Sequence, residues 1–365
     1  MSDALISETE RTDNIADIRE KVESGQRISS EDGLRLYQTQ DLTELSYLAD
    51  LVRWRKHPDP IVTYICGRNI NYTNICWVRC KFCNFSAPPG SPQGYVLSED
   101  ELFQKIQELV DIGGMELLLQ GGLNSHLKLD YYLDVFSQIK QRFPTTHLHA
   151  LSVAEVRYIA HISRLTNKEC LIALREAGMD TLPGAGGEIL VDRVRNIIAP
   201  RKDTSDEWIS VMRDAHEIGM RTSATMMYGS VETLAERIEH LARIRDLQDE
   251  TGGFTAFVPW SFQPDGTELG GERATPYDYL KTVAISRIFL DNVNSVQASW
   301  VTQGAKIGAL SLSYGVNDFG STMLEENVVS AAGTSYSMPI EEIERIITDA
   351  GYHPRRRSTL YQLVD

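Results

Sequence analysis

The chain has 365 residues, 42% of them hydrophobic, and its 51 acidic residues outnumber its 36 Lys and Arg, which gives a formal net charge of −15. This composition supports a sizeable core and argues against a nucleic-acid partner, because the protein's field repels phosphate and no stripe of basic and aromatic residues offsets it. No apolar run is long enough to cross a bilayer, and the polar, acidic start lacks the pattern of a secretion signal. We therefore expect a cytoplasmic protein with a small-molecule substrate and no membrane partner.

The first 60 residues are predicted to form a helical extension. Residues 1–12 are polar and are predicted to be disordered, and from Ile15 to about Trp54 short helical patterns carry apolar positions such as Leu45, Leu48 and Val52. We therefore divide the chain into an N-terminal helical extension at 1–60 and one larger domain at 61–365, which ends in a helix and a tail.

Strand-like runs then alternate with amphipathic helices along the rest of the chain. The predicted strands are Val62–Asn71, Met115–Leu119, His147–Leu151, Met179–Leu182, Arg221–Met226, Phe254–Trp260, Ser295–Ser299 and Val316–Phe319. Helix starts between them carry capping boxes, as at Ser98 and Thr204. This alternation predicts an α/β fold with a parallel sheet, a (β/α)8 barrel of the TIM type, closed or opened. The basic run at 355–357 follows the last helix and is predicted to be a solvated tail.

Three cysteines follow the first predicted strand within eight residues, at Cys76, Cys80 and Cys83. Thiolates at this spacing can hold a metal cluster from one side and leave one metal without a protein ligand, where a small molecule can bind. A structural zinc site is the alternative, but it normally has four ligands, and the chain has no second C-x-x-C pair. The remaining cysteines, Cys66 and Cys170, are predicted to be small buried hydrophobic residues.

In a barrel the functional residues are expected in the loops at the carboxyl ends of the strands. Candidates stand there after every predicted strand that follows the cysteine loop: Gln120, Gly121 and Gly122; Ser152 and Glu155; Gly184–Glu188; Tyr228 and Ser230; Trp260 and Gln263; Trp300 and Gln303; and Asp318. His147 and His149 alternate on the third strand but have no third partner at ligand spacing, so we interpret them as barrel or substrate-pocket residues.

The pattern C-x3-C-x-aromatic-C, with Phe82 before the third cysteine, resembles that of the radical S-adenosylmethionine enzymes. Segments at 69–76, 115–123, 182–190 and 225–229 resemble the branch of that superfamily that makes futalosine-derived menaquinone and the deazaflavin of cofactor F420. Within the branch, segments 297–304 and 317–327 most resemble the cyclases that act on dehypoxanthine futalosine. The resemblance runs from about Thr63 to the C-terminus, with one departure at Ser230, where the branch has His.

This resemblance implies a [4Fe-4S] cluster on the three cysteines, with S-adenosyl-L-methionine as the second cofactor and an external electron donor such as flavodoxin or ferredoxin. It also implies which residues hold S-adenosylmethionine: Phe82, Gln120, Gly121, Gly122, Ser152 and Glu188. The acidic residue usual after the glycine pair is replaced by Leu123.

The reaction that the resemblance implies begins when a 5′-deoxyadenosyl radical removes hydrogen from the ribose C4′ of dehypoxanthine futalosine. The carbon radical then adds to the benzoate ring of the same molecule, and the ring must lose a proton and an electron. Such a substrate needs hydrogen-bonding side chains, a cation for its carboxylate and a base. The predicted substrate-binding residues are Arg68, Asn71, Tyr228 and Trp300, with Arg79 as a second cation; the predicted catalytic residues are Asp318 and Glu325, with Glu326 as a third candidate base.

Two other functions remain open at this stage. The sister aminofutalosine synthase or a subunit of the deazaflavin synthase shares most of the strand-end motifs. An iron–sulfur electron carrier is the non-enzyme alternative, although a carrier has no use for an open iron and usually supplies a fourth cysteine.

Overall fold

The computed structural model describes residues 14–325, 327, 330–332 and 337–364. The predicted disorder of residues 1–12 and the predicted role of Glu326 lie outside these residues.

From residue 14 onward, three helices precede the first strand: α1 (Ala16–Glu23), α2 (Ser30–Gln38) and α3 (Leu42–Lys56). Leu45, Leu48 and Ala49 form the buried face of α3, which packs along α11 (Pro276–Phe289). The extension thus shares the core of the rest of the chain, and the proposed domain boundary at residue 60 stays a prediction.

The main sheet has seven parallel strands in chain order, from β2 to β8. Their bounds are β2 (Gly67–Asn71), β3 (Glu116–Gln120), β4 (His147–Ala150), β5 (Thr181–Leu182), β6 (Arg221–Tyr228), β7 (Phe254–Ser261) and β8 (Ser295–Val296). This curled sheet confirms the predicted α/β barrel fold in its partial, opened form.

A second sheet of three parallel strands stands at the open side, in the order β10 (His353–Arg356), β1 (Ile61–Ile65), β9 (Asp318–Ser321). The strand predicted at 62–71 is therefore two strands, β1 and β2, that pair with different neighbours. They separate at Cys66, beside Thr322, whose hydroxyl accepts from the Gly67 N–H at 3.3 Å and donates to the Gly67 carbonyl at 3.1 Å. A single bridge, between Gln297 and Asp318, links the two sheets on the side of β8.

The C-terminal tail corrects the sequence prediction. Residues 353–356 pair with β1, and Arg357 is only 2% exposed, so the prediction of a solvated tail was wrong. The sequence His-Pro-Arg-Arg has no hydrophobic pattern, because this edge strand has no fully buried residue.

The other helices cover the outside of the sheets. They are α4 (Glu99–Asp111), α5 (Leu129–Arg142), α6 (Val153–Ser163), α7 (Asn167–Glu176), α8 (Asp192–Ile198), α9 (Ser205–Glu217), α10 (Leu234–Thr251), α11, α12 (Trp300–Gln303), α13 (Ala305–Ser311) and α14 (Ile340–Asp349), with 3-10 turns at Leu312–Tyr314 and Ser330–Ala332. The capping boxes predicted at Ser98 and Thr204 are both formed. Within the described part of the chain, no helix combines the length and apolar character that a membrane span needs.

Cys66 and Cys170 are fully buried, as predicted for small hydrophobic residues, and neither is in a disulfide. The thiols that remain for chemistry are the three in the loop after β2.

Candidate functional site

A cavity of about 440 Å³ lies inside the barrel, between the strand ends and the cysteine loop. Most of the residues predicted from sequence line it: Arg68, Asn71, Cys76, Cys80, Phe82, Cys83, Gln120, Gly121, Gly122, Ser152, Glu188 and Trp300. The predicted residues that do not line it include Tyr228, Asp318 and Glu325, together with Arg79, Ser230, Gln263 and Gln303. The cavity thus brings the cysteine loop together with the ends of several strands.

Backbone hydrogen bonds hold the cysteine loop in place. The Cys76 N–H donates to the Ala87 carbonyl at 2.9 Å, and the Cys83 N–H donates to the Cys80 carbonyl at 3.1 Å. Between them, the Lys81 N–H donates to the Ile198 carbonyl at the end of α8, 2.8 Å away. The loop is therefore tied both to itself and to the neighbouring βα unit, so the positions of its thiols are set before any metal binds.

The three thiols form no disulfide, and all three cysteines line the cavity. Burial raises the pKa of Cys80 to about 12 and also raises that of Cys83, and the neighbouring thiols act in the same direction. A bound metal reverses this effect, because it stabilises the thiolate. Among the described residues, no three Cys, His, Asp or Glu side chains meet closely enough around one metal ion.

The glycine pair after β3 lets the cysteine loop pass close to the sheet. A Cβ atom on Gly122 would lie 2.3 Å from the carbonyl oxygen of Ile75 and 2.9 Å from the Cβ of Cys76. A Cβ on Gly121 would lie 2.7 Å from the ring of Tyr72. The absence of side chains here is therefore needed to seat the loop that carries the thiols, whatever ligand the cavity holds.

Ser152 and Glu155 form a capping box at the start of α6 that reaches into the cavity wall. One Glu155 oxygen accepts from the Tyr72 hydroxyl at 2.7 Å and the Gly121 N–H at 2.9 Å, and the other accepts from the N–H and hydroxyl of Ser152, both at 2.7 Å. Burial outweighs these hydrogen bonds and raises the pKa of Glu155 to about 7. The carboxyl group thereby fixes the glycine pair relative to Ser152.

After the next strand, Glu188 also lines the cavity and pairs with a lysine that the sequence interpretation missed. The Lys202 Nζ donates to Glu188 at 2.8 Å and lies 5.7 Å from the centre of the Phe82 ring. Behind them, Arg195 stands 3.7 Å from Glu188 and pairs with Asp203 at 2.5 Å. Lys202 lies in the loop after α8, far in sequence from any strand end, so no strand-end pattern could have indicated it.

Two asparagines on β2 line the cavity and carry amide oxygens without a hydrogen-bond partner among the described residues. They are Asn69 and Asn71, which are 6% and 4% exposed. The Asn71 Nδ2 donates to the Gln120 carbonyl at 3.2 Å, which fixes its orientation. Unpartnered buried acceptors are costly, so these oxygens point to a ligand with hydroxyl or amino donors.

The two acids proposed as bases are both held in ion pairs. Asp318 is fully buried and pairs with Arg357. Glu325 accepts from Arg68 at 2.9 Å and Lys105 at 2.8 Å. Burial opposes the charge on Glu325, but the hydrogen bonds from Lys105, Asn327 and Arg68 outweigh it and lower its pKa. This placement argues against either acid as the base.

Two of the predicted substrate-binding residues are poorly placed to contact a substrate: Arg68 is held in ion pairs, and Tyr228 does not line the cavity. The Arg68 guanidinium donates twice to Glu325, once to Glu108 and once to the Lys105 carbonyl, so four of its five N–H donors are occupied. Tyr228 is completely buried, and its ring lies 4.7 Å from the Arg237 guanidinium. Ser230, at the position where His was expected, donates to Glu232 at 3.0 Å and does not line the cavity.

Comparison with known proteins places the chain in a family. Residues 70–244 match the Radical SAM superfamily, and residues 251–365 match the CofH/MqnC C-terminal region. The chain is 46% identical to cyclic dehypoxanthine futalosine synthase of Halalkalibacterium halodurans, with 96% of this chain and 95% of that protein covered. It is 43% identical to the protein of the same name from Streptomyces coelicolor, with 97% and 90% covered. It is 40% identical to aminodeoxyfutalosine synthase of Thermus thermophilus, with 97% of each chain covered.

Among solved structures, the hydrogenase maturase HydG of Carboxydothermus hydrogenoformans superposes with a TM-score of 0.77 at 16% identity, with 99% of this chain and 86% of that chain covered, which shows the shared fold. The two family matches and the identities over almost the whole length agree with the cysteine loop and the barrel described above. The protein belongs to the radical S-adenosylmethionine superfamily, in the branch that carries the CofH/MqnC C-terminal region.

Proposed function

We propose that the protein is a cyclic dehypoxanthinyl futalosine synthase, a radical cyclase that acts in menaquinone biosynthesis. The observation that carries the proposal is the 46% and 43% identity, over nearly the full length, to two relatives of that name. The aminodeoxyfutalosine synthase relative is 40% identical, so the sister reaction is the second candidate.

Cys76, Cys80 and Cys83 would hold a [4Fe-4S] cluster, and the free thiols of one buried loop support this assignment. When bound, the cluster and S-adenosylmethionine supply a 5′-deoxyadenosyl radical that removes a hydrogen atom from the substrate. An external electron donor such as flavodoxin or ferredoxin completes the proposed set of partners.

The chain's own residues bind and orient the ligands. Phe82, within the cysteine loop, offers an aromatic face to the cavity, and Gln120, Gly121 and Gly122 line the cavity next to that loop. Ser152 and Glu188 also line the cavity and bring polar groups to it. The Glu188 carboxylate is paired with Lys202, so it can accept hydrogen bonds from ribose hydroxyls without being an unpaired charge. Catalysis by such a fold depends on positioning and on excluding water from a reactive radical.

Asn71 and Trp300 remain the proposed substrate-binding residues, and Asn69 joins them. The two asparagine oxygens can accept hydrogen bonds from sugar hydroxyls, and Trp300, which is 1% exposed, supplies an apolar surface for a planar ring. Arg68 and Tyr228 are assigned no substrate contact, because Arg68 is paired with two carboxylates and Tyr228 lies outside the cavity.

The test is an anaerobic turnover assay with the reconstituted protein, dithionite and S-adenosylmethionine. With dehypoxanthine futalosine, we expect 5′-deoxyadenosine and a product two hydrogens lighter than the substrate, both measured by mass spectrometry. A parallel reaction contains the precursor used by aminodeoxyfutalosine synthases. Product only in the parallel reaction would replace the proposed function with the sister one.

A further inference from the structure

Two histidines on β4 share one hydroxyl group inside the barrel. The Thr181 Oγ1 lies 2.6 Å from the Nδ1 of His149 and 2.9 Å from the Nε2 of His147. Of the two imidazoles, His149 lines the cavity and His147 does not. Because Thr181 takes up the Nδ1 of His149, the Nε2 is the ring nitrogen left for a ligand in the cavity.

The shared hydroxyl restricts the tautomers of the two rings. A hydroxyl has one hydrogen, so Thr181 can donate to only one of the two nitrogens. The other nitrogen must itself carry a hydrogen, which it donates to the Thr181 oxygen. When Thr181 donates to His147, the Nδ1–H of His149 donates to Thr181 and the Nε2 of His149 carries a lone pair. The pair of histidines thus allows a state with an imidazole base facing the cavity.

The strand register places this base at the middle of the cavity. His149 is the Cα partner of Leu118, and Leu118 is the partner of Asn69, so His149 and Asn69 belong to one layer of the barrel. The next layer towards the cysteine loop contains Gln120 and Asn71. A substrate that meets the radical near the cysteines therefore extends down to the layer of His149.

Most acids near the cavity have their oxygens already occupied by ion pairs or hydrogen bonds, which leaves no free acceptor site for a substrate proton. Asp318 and Glu325 are in ion pairs and do not line the cavity, Glu188 is paired with Lys202, and Glu155 accepts four hydrogen bonds. Glu116 is the remaining cavity acid, but it lies one layer below His149, in register with Gly67 and His147. Glu116 therefore serves as the alternative in the test.

We propose that His149 is the base that takes the ring proton after cyclisation. This inference rests on the proposed function. The C–H bond at the ring carbon that was attacked breaks, its electron pair stays on the ring, and the proton moves to the Nε2 of His149. The ring radical anion that results gives one electron to a one-electron acceptor of the iron–sulfur class and becomes the aromatic product.

The electrostatic surroundings keep this imidazole neutral before the reaction. Burial first, then the neighbouring His147 and Arg357, lower the pKa of His149 to about 3. A neutral imidazole is the form that can accept a proton, and the carboxylate of a bound benzoate would make protonation easier by adding a negative charge. Loss of the proton also restores aromaticity to the ring, which favours transfer even to a weak base.

The experiment compares His149→Asn with His147→Asn in the full-length reconstituted protein. Asn at 149 can keep the contact that Nδ1 makes with Thr181 but has no group at the Nε2 position, whereas the change at 147 disturbs the same hydroxyl from outside the cavity. The readouts are cyclic product per 5′-deoxyadenosine, the electron paramagnetic resonance spectrum of freeze-quenched samples, and substrate affinity by calorimetry without reductant.

We expect His149→Asn to bind substrate and cleave S-adenosylmethionine in a substrate-dependent way, with product per 5′-deoxyadenosine lowered roughly 100-fold and a ring-centred radical that accumulates, since a positioned base contributes about 10²–10⁴-fold. His147→Asn should lower the ratio less than His149→Asn does, because it changes only the group that shares the Thr181 hydroxyl and leaves the imidazole of His149 in place. Equal losses in both variants, lost substrate binding in His149→Asn, or a large loss in Glu116→Gln with none in His149→Asn would each overturn the proposal.

Two controls keep the proposal separate from folding and from the proposed function. If His149→Asn does not fold, His149→Gln replaces it; Gln reaches the Nε2 position with an amide that cannot take a proton, so the same loss of product is expected. If the wild-type protein forms no cyclic product, the proposed function fails. If the wild type forms it and the His149 variant matches the wild-type ratio, only the role of His149 fails.

Discussion

Replacing Asp318 by Asn tests whether this acid is a structural partner rather than the base. The carboxylate pairs with Arg357, which contacts both of its oxygens, and it also accepts from the Thr63 hydroxyl at 2.5 Å and the Gly320 N–H at 3.0 Å. Asn would leave a fully charged guanidinium inside the barrel, 2% exposed and without its counter-ion. Removing one partner of a buried ion pair costs about 3–5 kcal/mol, so we expect the free energy of unfolding to fall by that amount.

The assay is urea unfolding followed by circular dichroism, with Asp265→Asn as the matched control. Asp265 pairs with Arg273 at the surface, where the two side chains are 59% and 45% exposed, and losing such a pair changes stability by about 0–1 kcal/mol. The double variant Asp318→Leu, Arg357→Met should recover most of the loss, because it leaves no buried charge.

If Asp318→Asn lowers the free energy of unfolding by less than about 1 kcal/mol, the buried ion pair contributes no more than an exposed one, and this reasoning is refuted. So would a stable variant that cleaves S-adenosylmethionine but forms little cyclic product, because that is the behaviour of a lost base.

Replacing any one of the three cavity cysteines by Ala should abolish the iron–sulfur chromophore and the bound iron, whereas Cys170→Ala should keep both by absorption and iron analysis; iron retained in a cavity variant would contradict the ligand assignment. Gly122→Ala should lower the iron content and cost about 1–3 kcal/mol by overpacking, because its new Cβ meets the backbone of Ile75 at 2.3 Å; wild-type iron content and urea midpoint would refute the close approach. Burial raises the pKa of Glu155 to about 7 from its ordinary value of 4.5. Between pH 4.5 and pH 7 the folded state therefore keeps a proton on Glu155 that the unfolded state has lost. The free energy of unfolding should fall by about 3 kcal/mol across this range because of this group. Glu155→Gln should remove that part of the slope in urea unfolding measured across this pH range, and an unchanged slope would show that its hydrogen bonds outweigh burial.

The sequence was sufficient for the elements whose pattern is local. Each of the eight predicted strands is present, and the loop with Cys76, Cys80 and Cys83 lines the cavity, because alternating apolar runs and thiol spacing act within a few residues. The position of Gln120 and Ser152 at the cavity also follows from their place at strand ends.

What the sequence did not predict depends on contacts between distant segments. Arg357 lies inside the barrel because β10 pairs with β1, about 290 residues earlier in the chain. The sequence His-Pro-Arg-Arg has no apolar alternation, so it did not predict this strand. The sequence placed Asp318 at the carboxyl end of the last predicted strand, which suggested chemistry, but β9 begins at Asp318 and the carboxylate pairs with Arg357. The role of Lys202 depends likewise on where α8 ends relative to Phe82.

The measurement that tests the central claim most directly is turnover with dehypoxanthine futalosine that carries deuterium at C4′ of the ribose. If the cavity holds the cluster, S-adenosylmethionine and this substrate together, deuterium should appear in 5′-deoxyadenosine, and the cyclic product should lack both that deuterium and one ring hydrogen. If 5′-deoxyadenosine forms without deuterium while the labelled substrate is recovered unchanged, the cavity does not place this substrate before the radical, and the proposed cyclase function is contradicted.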